Sequence, residues 1–373
     1  MPSLSKGGII VSTAAQQKGT VETWFILIVD KVVDQGLRTA LTNLLFENKY
    51  ITILHTGCYE KAIELVESND VATVFLNPVK DEQPSGLSYI HSFREKSKHF
   101  ATRVILLVDD ETKVPEEAVM EKYDLHAYIH KTKWDVSSLK STVRSSLRAY
   151  RDIRKVMEMN VDLQNTQKEV VYTLGEIVET RSRETGNHVK RVAEYSKLLA
   201  ILAGLSHQEA ELVRLASAMH DVGKVAIPDD ILHKPGRYTK EEFDVMKRHS
   251  KIGHDMLKQA KGQIFRVASM IALQHHEKYD GSGYPFGLKA DEIHIYSRIT
   301  AIADVFDALG SDRVYKKAWS LEEIIEHFRK ERGKHFDPHL TDVFLKNLDS
   351  FLKIQSRYKE SLLELKKASL VDY

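Results

Sequence analysis

The chain has 373 residues, 42% of them hydrophobic and 29% charged, and its formal net charge at pH 7 is +1. These values are ordinary for globular proteins, and the length suits two or three domains that each bury a core. A net charge this close to zero excludes a global attraction to nucleic acid or to an anionic membrane. The single cysteine, Cys58, excludes an intrachain disulfide, and no apolar run reaches the length of a bilayer span. We therefore expect a soluble cytoplasmic protein without nucleic-acid or membrane partners.

The first 20 residues hold a short apolar stretch that runs into polar Gln16, Gln17 and Lys18. A secretory signal would need a charged region before its apolar segment, which is weak here. Residues 1–20 are therefore expected to be a disordered leader.

Short apolar runs alternate with helical patterns over residues 21–134. The first run, residues 24–29, ends at Asp30 and predicts a buried strand. Further strands are predicted at residues 51–54, 72–76, 104–108 and 127–129. Strands that alternate with helices predict a doubly wound α/β domain around a parallel sheet.

This order of elements resembles the receiver domain of response regulators, but the chemistry of a receiver is incomplete. Asp30 is kept after the first strand, whereas the residue beside it is Lys31, which weakens a Mg²⁺ site. The phosphoacceptor position is Asn77, and an amide cannot form an aspartyl phosphate. The lysine of the fifth strand survives as Lys131. We predict a pseudo-receiver domain over residues 21–134 that dimerises or docks an unknown protein partner.

Residues 135–171 predict a long helix that joins two domains. Glycine and proline are absent from this segment, and its apolar residues recur every three or four positions. A parallel coiled coil, and with it a homodimer through the linker helix, is one interpretation. Because Asn160, Gln164 and Gln167 interrupt the pattern, a single helix packed on its own domain is the other.

Histidines and carboxylates recur through the helical pattern of residues 172–373. They are Glu184, His188, His220, Asp221, His249, His275, His276 and Asp304. Imidazole and carboxylate ligands together suit iron, manganese, zinc or nickel. Asp221 and Asp304 lie in or beside apolar runs, where a carboxylate without a partner would be costly. With Lys224 as a nearby cation, this pattern predicts a polynuclear metallohydrolase that cleaves a phosphate ester.

Two motifs resemble a known family. Residues 220–224, His-Asp-Val-Gly-Lys, are similar to the signature of the HD phosphohydrolase superfamily. Residues 280–285, Asp-Gly-Ser-Gly-Tyr-Pro, are similar to the loop that defines its HD-GYP branch. Further family-like stretches follow in the same order, including residues 275–277, 302–304 and 335–338. The resemblance implies that residues 172–373 hold an all-α HD-type domain with a metal site.

The resemblance also implies the ligands. Two or three divalent metal ions, iron first and manganese second, would be bound by Glu184, His188, His220, Asp221, His249, His275, His276 and Asp304. Asp221 would bridge metals and is one of two expected catalytic residues. Glu184 is the ligand associated with a third metal, so its presence favours a trinuclear centre.

Substrate contacts follow from the same resemblance. Lys224, the second expected catalytic residue, would contact the scissile phosphate. Arg313 and Lys316 would bind the phosphates of the substrate, a task that suits a guanidinium fork. Gly283 lets its loop approach a ligand closely, and the hydroxyl of Tyr284 would bond the substrate or brace the metal site. A purely structural role for Tyr284 stays open.

The implied reaction is hydrolysis of a phosphodiester of cyclic di-GMP, a bacterial second messenger, to pGpG, with further cleavage to GMP left open. Another cyclic dinucleotide, such as cyclic GMP–AMP, would use the same phosphate contacts. A cyclic-dinucleotide-binding signalling module with little turnover is a second alternative. A scaffold with a vestigial site is the third, and burying this many charges without metal argues against it.

Overall fold

The computed structural model describes residues 23–79, 86–96, 100–109, 114–182, 186–311 and 317–358. The predicted leader, Glu184, Arg313 and Lys316 lie outside the described residues. The chain divides into two compact units, with the boundary between Asp162 and Leu163.

A six-stranded sheet forms the centre of the first unit. Its strands are β1 (Thr23–Val29), β2 (Leu45–Phe46), β3 (Lys49–Thr56), β4 (Val71–Leu76), β5 (Arg103–Val108) and β6 (Ala127–His130). The strand order is β2-β3-β1-β4-β5-β6, and every pair is parallel except β2 with β3. The predicted α/β domain with a parallel sheet is therefore present, and each of the five predicted strands is found.

Apolar cores lie on both faces of this sheet. The helices between the strands of this unit are α1 (Gln35–Thr42), α2 (Tyr59–Ser68), α3 (Gly86–Lys96) and α4 (Glu116–Val119). Along β1, Ile26 and Ile28 belong to one core, whereas Leu27 and Val29 belong to the other. Successive side chains of a strand point to opposite faces, so the continuous apolar run supplies both cores at once.

Polar residues meet at the carboxyl ends of β1, β4, β5 and β6. The ammonium of Lys131 lies 2.7 Å from Oδ2 of Asp30 and 2.9 Å from Oδ2 of Asp109. The amide of Asn77 donates to Oδ1 of Asp30 at 3.2 Å. We call these residues the strand-end cluster. Its carboxylates already have a cation and an amide as partners.

Helix α5 (Val136–Arg181) contributes residues to both units. Leu139 and Val143 are buried in a core of the first unit, and Val171 and Val178 are buried in a core of the second. Large apolar side chains are exposed along it, at Val156, Met157, Met159, Val161, Leu163, Val170, Leu174 and Ile177.

The second unit is helical, as predicted. Its further helices are α6 (Gly186–Leu202), α7 (His207–Ser217), α8 (Asp229–Leu232), α9 (Lys240–Met246), α10 (Arg248–Leu257), α11 (Gln263–Gln274), α12 (Ile295–Gly310), α13 (Leu321–Glu331), α14 (Pro338–Lys346) and α15 (Leu348–Arg357). Short 3₁₀ helices cover Val222–Ala226 and Ala290–Glu292. Within its described residues, β structure is limited to isolated bridges. None of the described helices has the length and hydropathy needed to cross a bilayer.

One close approach of two backbones positions the site. A Cβ atom on Gly223 would lie 1.9 Å from the carbonyl oxygen of His249 and 2.6 Å from the nitrogen of Gly253. Only glycine fits there, so the turn after α7 packs directly against α10. The turn carries His220 and Asp221, and α10 carries His249.

Candidate metal centre

Seven of the eight predicted metal ligands converge in the second unit. Helix α6 carries His188, the turn after α7 carries the His-Asp pair, α10 carries His249, the end of α11 carries the His-His pair, and α12 carries Asp304. The eighth, Glu184, lies outside the described residues. Residues more than 100 positions apart in the sequence therefore meet in one cluster.

Asp221 lies at the middle of this cluster. Its Oδ1 is 3.1 Å from Nε2 of His249 and 3.5 Å from Nε2 of His275. Its Oδ2 is 3.2 Å from Nε2 of His220 and 2.7 Å from the ammonium of Lys224. The two oxygens thus face different sets of partners, which is the arrangement that a bridging carboxylate requires.

The donor atoms form two groups. One consists of Asp221, His249, His275 and His276, and the other of Glu179, His188 and His220. Within each group the candidate ligand atoms lie within 4.8 Å of one another. Oδ1 of Asp304 lies 3.8 Å from Nε2 of His188 and 3.7 Å from Nε2 of His220, beside the second group. The described residues therefore offer at least two metal positions.

Backbone carbonyls orient three of the histidines. Nδ1–H of His220 donates to the carbonyl of Ser217 at 2.8 Å, and that of His249 to the carbonyl of Met246 at 2.7 Å. Nδ1 of His275 lies 3.0 Å from the carbonyl of Ala272. A carbonyl only accepts, so each Nδ1 carries a proton and each ring turns its Nε2 toward the cluster.

His188 is oriented by a side chain instead. Its Nδ1 lies 2.8 Å from Oδ2 of Asp307, whose side chain is 1% exposed. Arg191 donates to both oxygens of Asp307, from Nε at 2.6 Å and from Nη2 at 2.9 Å. Metal-binding histidines commonly give their second N–H to a carboxylate in this way. Sequence reasoning did not assign a role to Asp307, although a carboxylate in an apolar run was the available signal.

The Gly-Tyr-Pro loop packs on a predicted ligand. The ring of Tyr284 lies 4.8 Å from that of His276, centroid to centroid, and its backbone N–H donates to the carbonyl of His276 at 3.2 Å. A Cβ atom on Gly283 would lie 2.3 Å from the nitrogen of Lys278. This approach explains the glycine. Burial raises the pKa of Tyr284, and the charges of Asp221 and Asp304 raise it further, so its hydroxyl stays protonated.

A buried carboxylate holds this loop in place. Glu277 is 2% exposed, and its two oxygens accept from the backbone N–H groups of Phe286 at 2.7 Å and Leu288 at 3.0 Å. Glu277 directly follows the ligand pair in sequence, so it links the His276 backbone to the loop. Sequence reasoning noted this glutamate as part of a motif but gave it no role.

For Asp221, Asp304 and His276 the electrostatics favour the forms that bind metal, whereas Asp221 and Asp304 raise the pKa of His220 against the effect of its burial. Burial opposes ionisation of Asp221, yet Lys224 and His220 hold its pKa well below the usual range. Burial likewise opposes ionisation of Asp304, and His220 and His188 lower its pKa. Burial lowers the pKa of His276, as do the neighbouring histidines. Ionised carboxylates and neutral imidazole are the species that metal ions require.

Two buried donor atoms fit a divalent cation. Among the described residues, Oδ1 of Asp221 and Nε2 of His220 have no hydrogen-bond partner. Burying such atoms without compensation is costly, whereas one cation bound by each of the two donor groups would satisfy both atoms. A mixed set of imidazole and carboxylate donors suits first-row transition metals.

Two predicted substrate contacts, Arg313 and Lys316, lie outside the described residues. The structure brings Lys224 and Tyr284 to the cluster but leaves those two predictions untested. It adds Glu179, which is 2% exposed and was absent from the predicted site. Its signal in the sequence was weak, because one glutamate among several on a long helix gives no sign of burial.

The chain is similar to known proteins over most of its length. Residues 173–340 match the HD domain family. The 3′3′-cGAMP-specific phosphodiesterase 2 of Vibrio cholerae is 29% identical over 90% of this chain and 93% of its own length. The cyclic di-GMP phosphodiesterase of Thermotoga maritima is 33% identical over 81% of this chain and 85% of its own length. The cyclic di-GMP phosphodiesterase response regulator RpfG of Xanthomonas campestris is 40% identical over 52% of this chain, but the match spans only 51% of that relative.

Proposed function

The chain belongs to the HD family of cyclic dinucleotide phosphodiesterases, in its HD-GYP branch, and from this premise we propose that it hydrolyses cyclic di-GMP with bound divalent metal ions. The product is pGpG, and whether GMP follows is left to the assay. The observation that carries the proposal is Asp221, whose two oxygens face different donor sets. A single carboxylate in this position fits a bridge between metal ions at a phosphodiester.

The proposed roles of the protein residues follow from where they lie. Lys224, beside Asp221, brings a positive charge to the scissile phosphate. Tyr284, on the loop over His276, donates a hydrogen bond from its hydroxyl to a substrate oxygen. Bound divalent ions supply a more acidic water as nucleophile and neutralise charge on the phosphoryl oxygens. We propose Arg313 and Lys316 as the contacts for the remaining phosphate oxygens.

We propose eight metal ligands in all, and iron is expected first and manganese second as the bound metal. Carboxylates and imidazoles do not separate these two metals by affinity alone, so the order rests on the family resemblance. Glu184 is proposed as the ligand of a third ion. Replacing it in Glu184→Gln is expected to reduce the metal content from three ions to two.

Cyclic GMP–AMP is a second candidate substrate. The Vibrio cholerae relative that is named for this substrate matches over 93% of its own length, slightly more than the cyclic di-GMP phosphodiesterase of Thermotoga maritima does. The two cyclic dinucleotides share their phosphodiester ring and differ in one base. Contacts to that base would therefore decide between them.

The test is metal content per chain on protein purified without oxygen, with turnover of cyclic di-GMP and cyclic GMP–AMP measured side by side on the same sample. Two or three ions with faster turnover of cyclic di-GMP are expected. Faster turnover of cyclic GMP–AMP would identify the second candidate. Tight binding of either compound without product would favour a signalling module. A protein that takes up no metal after reconstitution would contradict the ligand assignment.

For the first unit we propose a pseudo-receiver that docks a protein partner. With β2 set aside, its strand order β3-β1-β4-β5-β6 is that of the flavodoxin-like fold, to which receiver domains belong. Lys131 puts a positive charge beside Asp30, where a receiver would bind Mg²⁺, and Asn77 replaces the phosphoacceptor. Incubation with a small phosphodonor is expected to leave the intact mass unchanged. A mass increase of one phosphate would contradict the proposal.

We further propose that α5 is a continuous linker helix and that two chains pair along it. The exposed apolar residues between Val156 and Ile177 support this, because water-exposed apolar stripes favour association. Light scattering coupled to size exclusion is expected to give the mass of a dimer. A monomer at micromolar concentration would favour the single-helix interpretation. Action on a second messenger also implies the cytoplasm as the site of function.

A further inference from the structure

Glu179 is a buried carboxylate that the predicted site does not include. It lies near the end of α5, and its side chain is 3% exposed. The hydroxyl of Ser182 donates to its Oε2 at 2.8 Å, and the ammonium of Lys224 lies 3.4 Å from the same oxygen. Its other oxygen, Oε1, is buried and has no hydrogen-bond partner within the part of the chain that the structure describes. An uncompensated carboxylate oxygen in this position would be costly.

The free oxygen belongs to a group of possible ligand atoms. Glu179, His188 and His220 each offer one atom, and these atoms all lie within 4.8 Å of one another. Nδ1 of His188 is hydrogen-bonded to Asp307, and Nδ1 of His220 is hydrogen-bonded to the carbonyl of Ser217. Both rings therefore present Nε2 to the group of ligand atoms. Nε2 of His220 also lacks a hydrogen-bond partner among the described residues. Two unsatisfied donor atoms and a second imidazole thus share one small volume.

We infer that Glu179 supplies a carboxylate oxygen to the metal ion that His188 and His220 bind. This inference rests on the proposed metal-dependent function and adds a ligand that the HD-GYP resemblance did not assign. A cation at this position satisfies Oε1 of Glu179 and Nε2 of His220 together. Oε1 of Glu179 is then the metal ligand, while Oε2 keeps its hydrogen bonds with Ser182 and Lys224.

The competing explanation is that Glu179 only positions Lys224. Their atoms are 3.4 Å apart, and Lys224 is closer to Asp221, at 2.7 Å. A positioning role also leaves Oε1 without a partner. The two explanations differ in metal content, because a residue that only positions Lys224 leaves every metal ligand in place.

The experiment compares wild-type protein with Glu179→Gln, Glu179→Ala, Lys224→Met and Glu176→Gln, all reconstituted with Mn²⁺. Glu176→Gln is the matched control, since Glu176 lies one turn earlier on α5 and pairs with Lys190 at the surface. Metal per chain is measured by elemental analysis, and Mn²⁺ affinity by electron paramagnetic resonance. Circular dichroism verifies that each variant is folded, and the isosteric Gln variant preserves the test where Ala disturbs the core.

We expect both Glu179 variants to lose about one ion per chain, or to bind it at least about tenfold more weakly, since even residues behind the ligands affect metal affinity by about 10–100-fold. Lys224→Met and Glu176→Gln retain the wild-type count. A folded Glu179→Gln protein with wild-type metal content and affinity would overturn the inference, even with its turnover reduced as in Lys224→Met. A wild-type protein that binds Mn²⁺ but cleaves no cyclic dinucleotide would count against the proposed function alone.

Discussion

Each unit of the molecule contains a lysine ammonium 2.7 Å from an aspartate carboxylate, Lys131 beside Asp30 in the first and Lys224 beside Asp221 in the second. In the first unit, the remaining oxygen of Asp30 accepts a hydrogen bond from the amide of Asn77. Both oxygens therefore have partners that bring protons. The strand-end cluster is satisfied by its own side chains.

In the second unit the remaining oxygen of Asp221 has no hydrogen-bond donor among the residues that the structure describes. It faces the Nε2 atoms of His249 and His275, whose Nδ1 protons are directed at backbone carbonyls on the other side of each ring. Lone pairs thus point at lone pairs unless a cation or an added proton lies between them. In the first unit the neighbouring side chains satisfy both oxygens of the aspartate, whereas in the second unit one oxygen is left for a cation or a proton, and the hydrogen-bond partners make the difference.

The largest effect is expected for Asp221→Asn, which keeps the shape of the side chain and removes its negative charge. We expect turnover to fall by about 10³-fold or more, since loss of a single transition-state contact costs about 10²–10³, together with lower metal content by elemental analysis. Asp255→Asn is the matched control, because Asp255 lies on α10 and pairs with Lys258 at the surface. Turnover near the wild-type rate in the Asp221 variant would erase the contrast between the two clusters.

A smaller effect is expected for Asp307→Asn, which alters the orientation of one histidine. The amide is a poorer acceptor for Nδ1–H of His188, and the ion pair with Arg191 is lost. Metal affinity should fall by about 10–100-fold, measured by Mn²⁺ titration, and the melting temperature should fall with it. Asp342→Asn, which removes an exposed pair with Arg332, serves as control. Unchanged affinity would show that the ring of His188 is held by packing alone.

Glu277→Gln should weaken substrate binding more than it lowers the metal content. One of its two oxygens becomes an NH₂ group that cannot accept from Phe286 or Leu288, so the loop with Tyr284 loses an anchor. A hydrogen bond to a charged group is worth about 1.5–3 kcal/mol, and we expect KM to rise about tenfold or more with metal content retained. Loss of metal in this variant would instead place Glu277 among the groups that support His276.

The smallest effect is expected for Lys131→Met in the strand-end cluster. Its side chain is 22% exposed, so the pair with Asp30 is partly screened and its loss should cost about 1 kcal/mol of unfolding free energy. Urea unfolding followed by tryptophan fluorescence measures this, and turnover of the cyclic dinucleotide should be unchanged. A fall in turnover comparable to that of Lys224→Met would mean that the two clusters are not independent.

The fold was predictable where one physical rule dominated. Continuous apolar runs marked five strands, because a strand covered on both faces has no polar side. Strand β2 was missed, since it has two residues and pairs with β3 through a two-residue turn. In that turn Glu47 and Asn48 adopt positive φ values of 52° and 61°. Two-residue turns of this kind usually have the sequence Asn-Gly or Asp-Gly, so Glu-Asn at this position did not predict one.

The site was predictable to the extent that its residues form motifs. The His-Asp pair and the Gly-Tyr-Pro loop identified the family, and seven of the predicted ligands meet in space. Glu179, Glu277 and Asp307 received no role because each acts through burial and through partners distant in the sequence. Asp307, for instance, meets His188 across 119 positions. Spacing along a chain does not carry that information.

The orientation of the histidines bears on which changes evolution has available. Three rings depend on main-chain carbonyls, at Ser217, Met246 and Ala272, and no single codon change removes a carbonyl. The fourth ring depends on the side chain of Asp307, which one nucleotide change can convert to asparagine or glutamate. The orientations of these three rings are thus insensitive to side-chain substitution of their partners. At His188, by contrast, a substitution of Asp307 would change the metal affinity without rebuilding the fold.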